Sequence, residues 1–118
     1  MGLFSVKMKV KPLSGKDGVT HKALVDTGAS LSVIPARVLE KLGVERRRRR
    51  RFVLANGEKV ERDVGVVIFY YNGREGAAEV IFGEAGDKSL IGALTLETLG
   101  LKVNPRKGCL EPIELMLL

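Results

Sequence analysis

The chain has 118 residues, 45% hydrophobic and 29% charged, and a formal net charge of +6. That length supports one domain spanning 1–118 and one core, not two. A single cysteine, Cys109, excludes an intrachain disulfide, and no stretch approaches the roughly 18 apolar residues of a membrane span.

No positively charged leader precedes a secretory apolar run, so the expected setting is soluble and cytoplasmic, with no membrane partner. Gln is absent, Asn occurs only at positions 56, 72 and 104, and charged residues are plentiful, a composition that leans towards a thermophile.

Taken in chain order, the elements are short and mostly extended. Phe4 to Val10 alternate as a strand, and Gly15-Lys16-Asp17-Gly18 predicts a hairpin turn into Val19 to Val25. Pro35 to Gly43 predicts a short helix, with proline in its first turn, Val38, Leu39 and Leu42 at helical spacing, and Gly43 as cap. Asn56-Gly57 and Asn72-Gly73 are two-residue hairpin signals, each flanked by apolar runs. Gly92 to Leu99 predicts a second helix ended by Gly100. Leu101 to Val103 and Cys109 to Ile113 bracket a turn at Asn104-Pro105-Arg106-Lys107-Gly108. The tail Glu114-Leu115-Met116-Leu117-Leu118 is apolar, and burial against a partner subunit is its natural fate. Cys109 reads as a small core residue and His21 as a strand surface residue, since no Cys/His cluster surrounds it. Many short strands, two small helices and glycine-marked turns predict a mainly β, closed barrel-like domain.

One hexapeptide carries chemistry. Val25-Asp26-Thr27-Gly28-Ala29-Ser30 places a carboxylate where an apolar strand breaks into a turn, a poor place for an unpaired charge. Asp26 there is either an Asx cap of the turn or a reacting group.

The stretch Leu24 to Ser30 resembles the signature of the retropepsin-like aspartic proteases, a hydrophobic strand ending in Asp-Thr/Ser-Gly-Ala/Ser. A second block, Leu90-Ile91-Gly92-Ala93-Leu94, resembles the Ile/Leu-Gly pair that opens a short helix late in those chains, and the resemblance covers roughly residues 5 to 113. It implies a single-domain retropepsin-like barrel active as a homodimer. Only one Asp-Thr-Gly occurs, and the chain is too short for the two-lobed pepsin architecture, so a second carboxylate has to come from a second copy. The implied activity is peptide-bond hydrolysis without cofactor or metal, on an extended peptide or unfolded protein.

The implied roles follow residue by residue. Asp26 and its symmetry mate activate water and protonate the leaving nitrogen. Thr27 hydrogen-bonds across the two-fold axis, and Gly28 lets the backbone approach the substrate. Ala29 offers no hydroxyl to the aspartate, as in retroviral enzymes, which places activity nearer neutral pH. Ser30 stands where retroviral enzymes usually carry Asp, and Ala93 where they carry its Arg partner. Both members of that ion pair are missing together. The hairpin around Ala55, Asn56 and Gly57 is the expected substrate-covering flap, although it lacks the repeated glycines of retroviral flaps.

Arg46 to Arg51 are six consecutive arginines and account for the whole charge imbalance. Alternation along a strand would put three on each face, so the stretch is expected at an edge, solvated on both sides. Two other readings of the chain stay open. It is a peptide-binding module with little turnover, or an interaction protein that holds acidic partners through the arginines. Nonspecific nucleic-acid association at low salt follows from the same charge.

Overall fold

Alternation of apolar and polar residues builds most of the molecule, and the first hairpin illustrates how. The computed structural model describes residues 3–114, 116 and 117. In β1 (Ser5–Lys11), Val6, Met8 and Val10 turn inward to 9% exposure or less while Ser5 and Lys7 face solvent. β2 (Val19–Val25) pairs with it antiparallel and buries Ala23 and Val25 on the same side. The chain reverses earlier than the glycine pair at 15 and 18 implies. The Gly15 amide donates to the Pro12 carbonyl at 3.0 Å, so the tight turn is Pro12 to Gly15.

The remaining elements are β3 (Ser32–Pro35), α1 (Ala36–Lys41), β4 (Arg48–Val53), β5 (Lys59–Tyr71), β6 (Arg74–Gly83), β7 (Leu90–Ile91), α2 (Ala93–Leu99), β8 (Leu101–Asn104) and β9 (Cys109–Pro112). Pro35 closes β3 in an extended conformation just before α1, instead of sitting in the helix's first turn. β1 to β7 form one sheet in the order β1-β2-β7-β3-β6-β5-β4, and β1 returns to pair with β5 through Lys9 to Lys11, so the sheet curls on itself. β8 and β9 form a separate two-stranded sheet.

Two hairpins share an Asn-Gly dipeptide but turn differently. Asn72 and Gly73 both take positive φ (47° and 81°) between the paired residues Tyr71 and Arg74, the two-residue turn expected. At the other, only Gly57 is positive (87°). Its amide donates to the Leu54 carbonyl at 2.8 Å, and the Leu54 amide donates to the Glu58 carbonyl at 2.8 Å. That is a three-residue loop closed by a glycine bulge, because Asn56 spends its side chain accepting the Glu58 amide.

The core lies inside the curl. Phe69, Phe82, Ile34, Leu39 and Ile91 are almost wholly buried, and Leu96 and Leu99 of α2 press onto them. Each buried phenylalanine contributes about 1.5–3 kcal/mol relative to exposure. A smaller group, Leu31, Val64 and Ile81, packs with Val33 and Phe52. Cys109 is half-buried on β9 and outside both groups, so it is not the core residue its chemistry implied. His21 departs from expectation in the other direction. It is half-buried, with Nε2 2.8 Å from Ser89 Oγ, and burial, assisted by Arg37, lowers its pKa. Met116 and Leu117 are exposed, while Leu115 and Leu118 of the same apolar tail lie outside the described residues. Among the described residues no helix is long and apolar enough to cross a membrane.

Candidate active site

β7 is two residues long, yet it organises the site. It runs parallel to β2 and antiparallel to β3, so it lies between the two strands that flank the Asp26 turn. Asp26 follows β2 directly, and its amide donates to the Ile91 carbonyl at 3.0 Å. The Ala29 amide closes the turn on the Asp26 carbonyl at 3.1 Å, and the Gly28 amide donates to Asp26 Oδ1 at 2.9 Å. The carboxylate is half-buried, and its Oδ2 accepts no hydrogen bond from a described residue. One oxygen is thus fixed by the turn and the other is open.

The start of α2 braces that turn from behind. Ala93 N–H donates to the Ala29 carbonyl at 2.8 Å, and Leu94 N–H to the Ser30 carbonyl at 3.1 Å. Gly92 N–H donates to Ser32 Oγ at 3.0 Å, which is itself 2.6 Å from Thr95 Oγ1. A Cβ at Gly92 would sit 2.7 Å from the Leu31 carbonyl oxygen and 2.8 Å from that of Ala29. The close approach of two turns requires glycine here.

In front of Asp26 opens a cleft of about 580 Å³. Asp26, Gly28, Ala29 and Ser30 line its floor; Phe52, Val53, Leu54, Ala55 and Val60 of the β4–β5 hairpin line the opposite side. Of the residues singled out from sequence, Thr27 is exposed and, like Asn56 and Gly57 at the hairpin tip, is not among the lining residues. Sequence reasoning missed Leu31, Val33, Ile81 and Leu90, which make the wall apolar, and the charged trio Arg62, Asp87 and Lys88. Strand alternation could have marked the apolar ones; no local signal marks the trio.

Arg62 and Asp87 form a forked ion pair, with Nε–Oδ2 at 2.7 Å and the second contact at 3.1 Å. The Arg62 hydrogen bond holds the Asp87 carboxyl below its ordinary pKa against the opposing effect of burial, with the Glu84 amide helping. This chain therefore has an ion pair in its cleft, though not at the positions of Ser30 and Ala93.

The arginine run forms the outermost strand, as its charge pattern required. Arg48 to Arg51 are exposed along β4, the end strand of the sheet. Arg46 bonds Asp63 at 2.6 Å and Glu40 at 3.3 Å, with its guanidinium 4.4 Å from the Phe82 ring centre. Arg48 pairs with Glu79, and Arg49 with Asp63 and Glu61. Arg47, Arg50 and Arg51 have no carboxylate of a described residue within 4.0 Å. Among the described residues no three His, Cys, Asp or Glu side chains gather as a metal site would need.

The family model described as "gag-polyprotein putative aspartyl protease" matches residues 15–98. The chain belongs to the retropepsin-like aspartic protease family. Its fold is similar to that of the simian foamy virus (mac) protease, with a TM-score of 0.56 and 24% identity over 80% of this chain and 92% of that one. It is likewise similar to a retropepsin-like aspartic protease from Rickettsia conorii, with a TM-score of 0.54 and 21% identity over 88% and 87% of the two chains. No curated protein matches it in sequence. The family match contains the whole Asp26 turn and the strand β7 that supports it, the two segments bonded to each other above.

Proposed function

We propose that the whole chain is one protease domain that works as a homodimeric aspartic endopeptidase, with Asp26 of each copy forming the reacting pair. The observation that carries this reading is the state of Asp26. One oxygen accepts the Gly28 amide, the other is open, and both stand at the floor of a cleft roofed by a hairpin. A second carboxylate, Asp87, lines the same cleft, but Arg62 engages both of its oxygens. It is not available to share a proton with Asp26, so the second group has to come from another copy.

Two carboxylates brought together cannot both ionise, as aspartic proteases exemplify. The ionised member takes a proton from a water held between them while that water's oxygen attacks the peptide carbonyl carbon. The protonated member gives its proton to the carbonyl oxygen. Collapse of the tetrahedral intermediate breaks the carbon–nitrogen bond, and a proton passes to the leaving nitrogen. Gly28 and Ser30 present backbone to an extended peptide, the hairpin of Ala55, Asn56 and Gly57 acts as flap, and Thr27, exposed beside Asp26, bonds its counterpart across the two-fold axis. The apolar wall of Leu31, Val33, Ile81 and Leu90 favours apolar side chains beside the cleaved bond. A cytoplasmic setting fits this reading.

The test is cleavage of an unstructured protein and a peptide library by wild type and by Asp26→Asn between acid and neutral pH. Cleavage by the wild type alone, rising with the square of chain concentration at high dilution, is the expected result. Full activity from a monomer, or from Asp26→Asn, overturns the proposal. A second reading has its own observation, the exposed Arg47, Arg50 and Arg51, which have no carboxylate of a described residue within 4.0 Å. On that reading the same fold holds an acidic partner or, loosely, nucleic acid along β4.

A further inference from the structure

The two sides of the cleft belong to different parts of the sheet, and one ion pair joins them. Arg62 lies on β5 two residues past Val60, at the base of the hairpin that roofs the cleft. Asp87 closes the turn Glu84 to Asp87, its amide donating to the Glu84 carbonyl at 2.9 Å while its Oδ2 accepts the Glu84 amide at 2.8 Å. That turn leads into a segment bonded directly to the floor. Ser89 O accepts the Leu24 amide at 3.0 Å, and Ile91 O accepts that of Asp26 at 3.0 Å.

We infer that the Arg62–Asp87 pair is a latch that sets the height of the flap over Asp26, and that both are positioning residues for peptide binding. The inference rests on the protease reading only for its effect on turnover. Three observations support it. The pair is forked and its side chains are only 16% and 24% exposed, so it is more directional and less screened than a surface pair. It links the flap base to the floor segment, both of which line the cleft. Finally, Arg50 is directly opposite Arg62 in the β4–β5 register. Like charges placed across a strand pair repel. Asp87, with Glu84 at 3.6 Å, supplies the negative charge that lets the arginine strand pair at the flap base.

The experiment is amide hydrogen exchange on wild type, Asp87→Asn and Arg62→Gln, with steady-state cleavage measured in parallel. Asp87→Asn keeps the side-chain shape and an acceptor for the Glu84 amide. The expected result is exchange at least about tenfold faster at residues 52–60, with β1 and β2 within about twofold of wild type. On a cleaved peptide KM rises about tenfold while kcat changes less than about threefold, since the flap holds substrate and does not touch the reacting atoms. Combining Arg62→Asp with Asp87→Arg restores protection at 52–60 towards wild type. Unchanged exchange at 52–60 in Asp87→Asn overturns the latch, as does an equal rise across the whole sheet, which marks a merely structural pair. Exchange needs no turnover. A wild type that cleaves nothing therefore sinks the protease reading while exchange still decides the latch.

Discussion

Ser32 and Thr95 face each other across 2.6 Å, hydroxyl to hydroxyl, at 0% and 1% exposure, and Ser32 Oγ also accepts the Gly92 amide. One buried oxygen thus ties β3, the start of α2 and the turn behind Asp26. Ser32→Ala strands the Gly92 N–H and the Thr95 hydroxyl together. The expected loss is about 1–3 kcal/mol of stability, read by urea denaturation. Ser32→Ala with Thr95→Val, which removes both hydroxyls, should recover part of it.

Gly92→Ala puts a methyl group against two carbonyl oxygens that are backbone and cannot rotate away. Stability should fall by about 1–3 kcal/mol or more. The Asp26 turn should move with it, because Ala29 and Leu31 are the groups displaced. Amide chemical shifts of Asp26 to Ser30 check this, and unchanged shifts would refute it.

Replacing Arg47, Arg50 and Arg51 by serine should alter fold stability by less than about 0.5 kcal/mol, since none has an ion partner among the described residues. Retention on an immobilised polyanion should drop and its dependence on salt should flatten. Replacing Arg46 instead costs more, since it holds Asp63 and Glu40 and covers Phe82.

Acid should act in part through Asp87, alongside Asp63, whose carboxyl Arg46 and Arg49 also hold below its ordinary pKa. The folded pKa of Asp87 is lowered by Arg62, so its contribution is fully present above the ordinary carboxylate range and is lost as pH falls through the folded value. Melting temperature should therefore fall below about pH 4, and Asp87→Asn should flatten that limb of the profile. A variant whose acid limb matches wild type would show that other carboxylates govern it.

How much of this was legible beforehand depends on how local each signal is. Asp26, Gly28 and the Gly92 helix start could be read because their residue types stand in a row and each constrains its neighbours. The hairpins at Asn56 and Asn72 were visible as turns. Their difference was not, since whether Asn takes a positive φ depends on the strands that meet there. Arg48 to Arg51 announced an edge strand, because so many guanidinium groups have no other place in a sheet. Arg62 and Asp87 were invisible: they are 25 positions apart and each resembles an ordinary surface charge. Ser32 and Thr95 were hidden for the same reason, 63 positions apart and without a motif between them.

The outer edge of β4 offers backbone donors and acceptors that no strand among the described residues fills. A second molecule laid antiparallel there would set guanidinium against guanidinium along most of the contact. The edge that hydrogen bonding leaves available is therefore barred by charge to this protein's own copies and left to anionic or neutral strands.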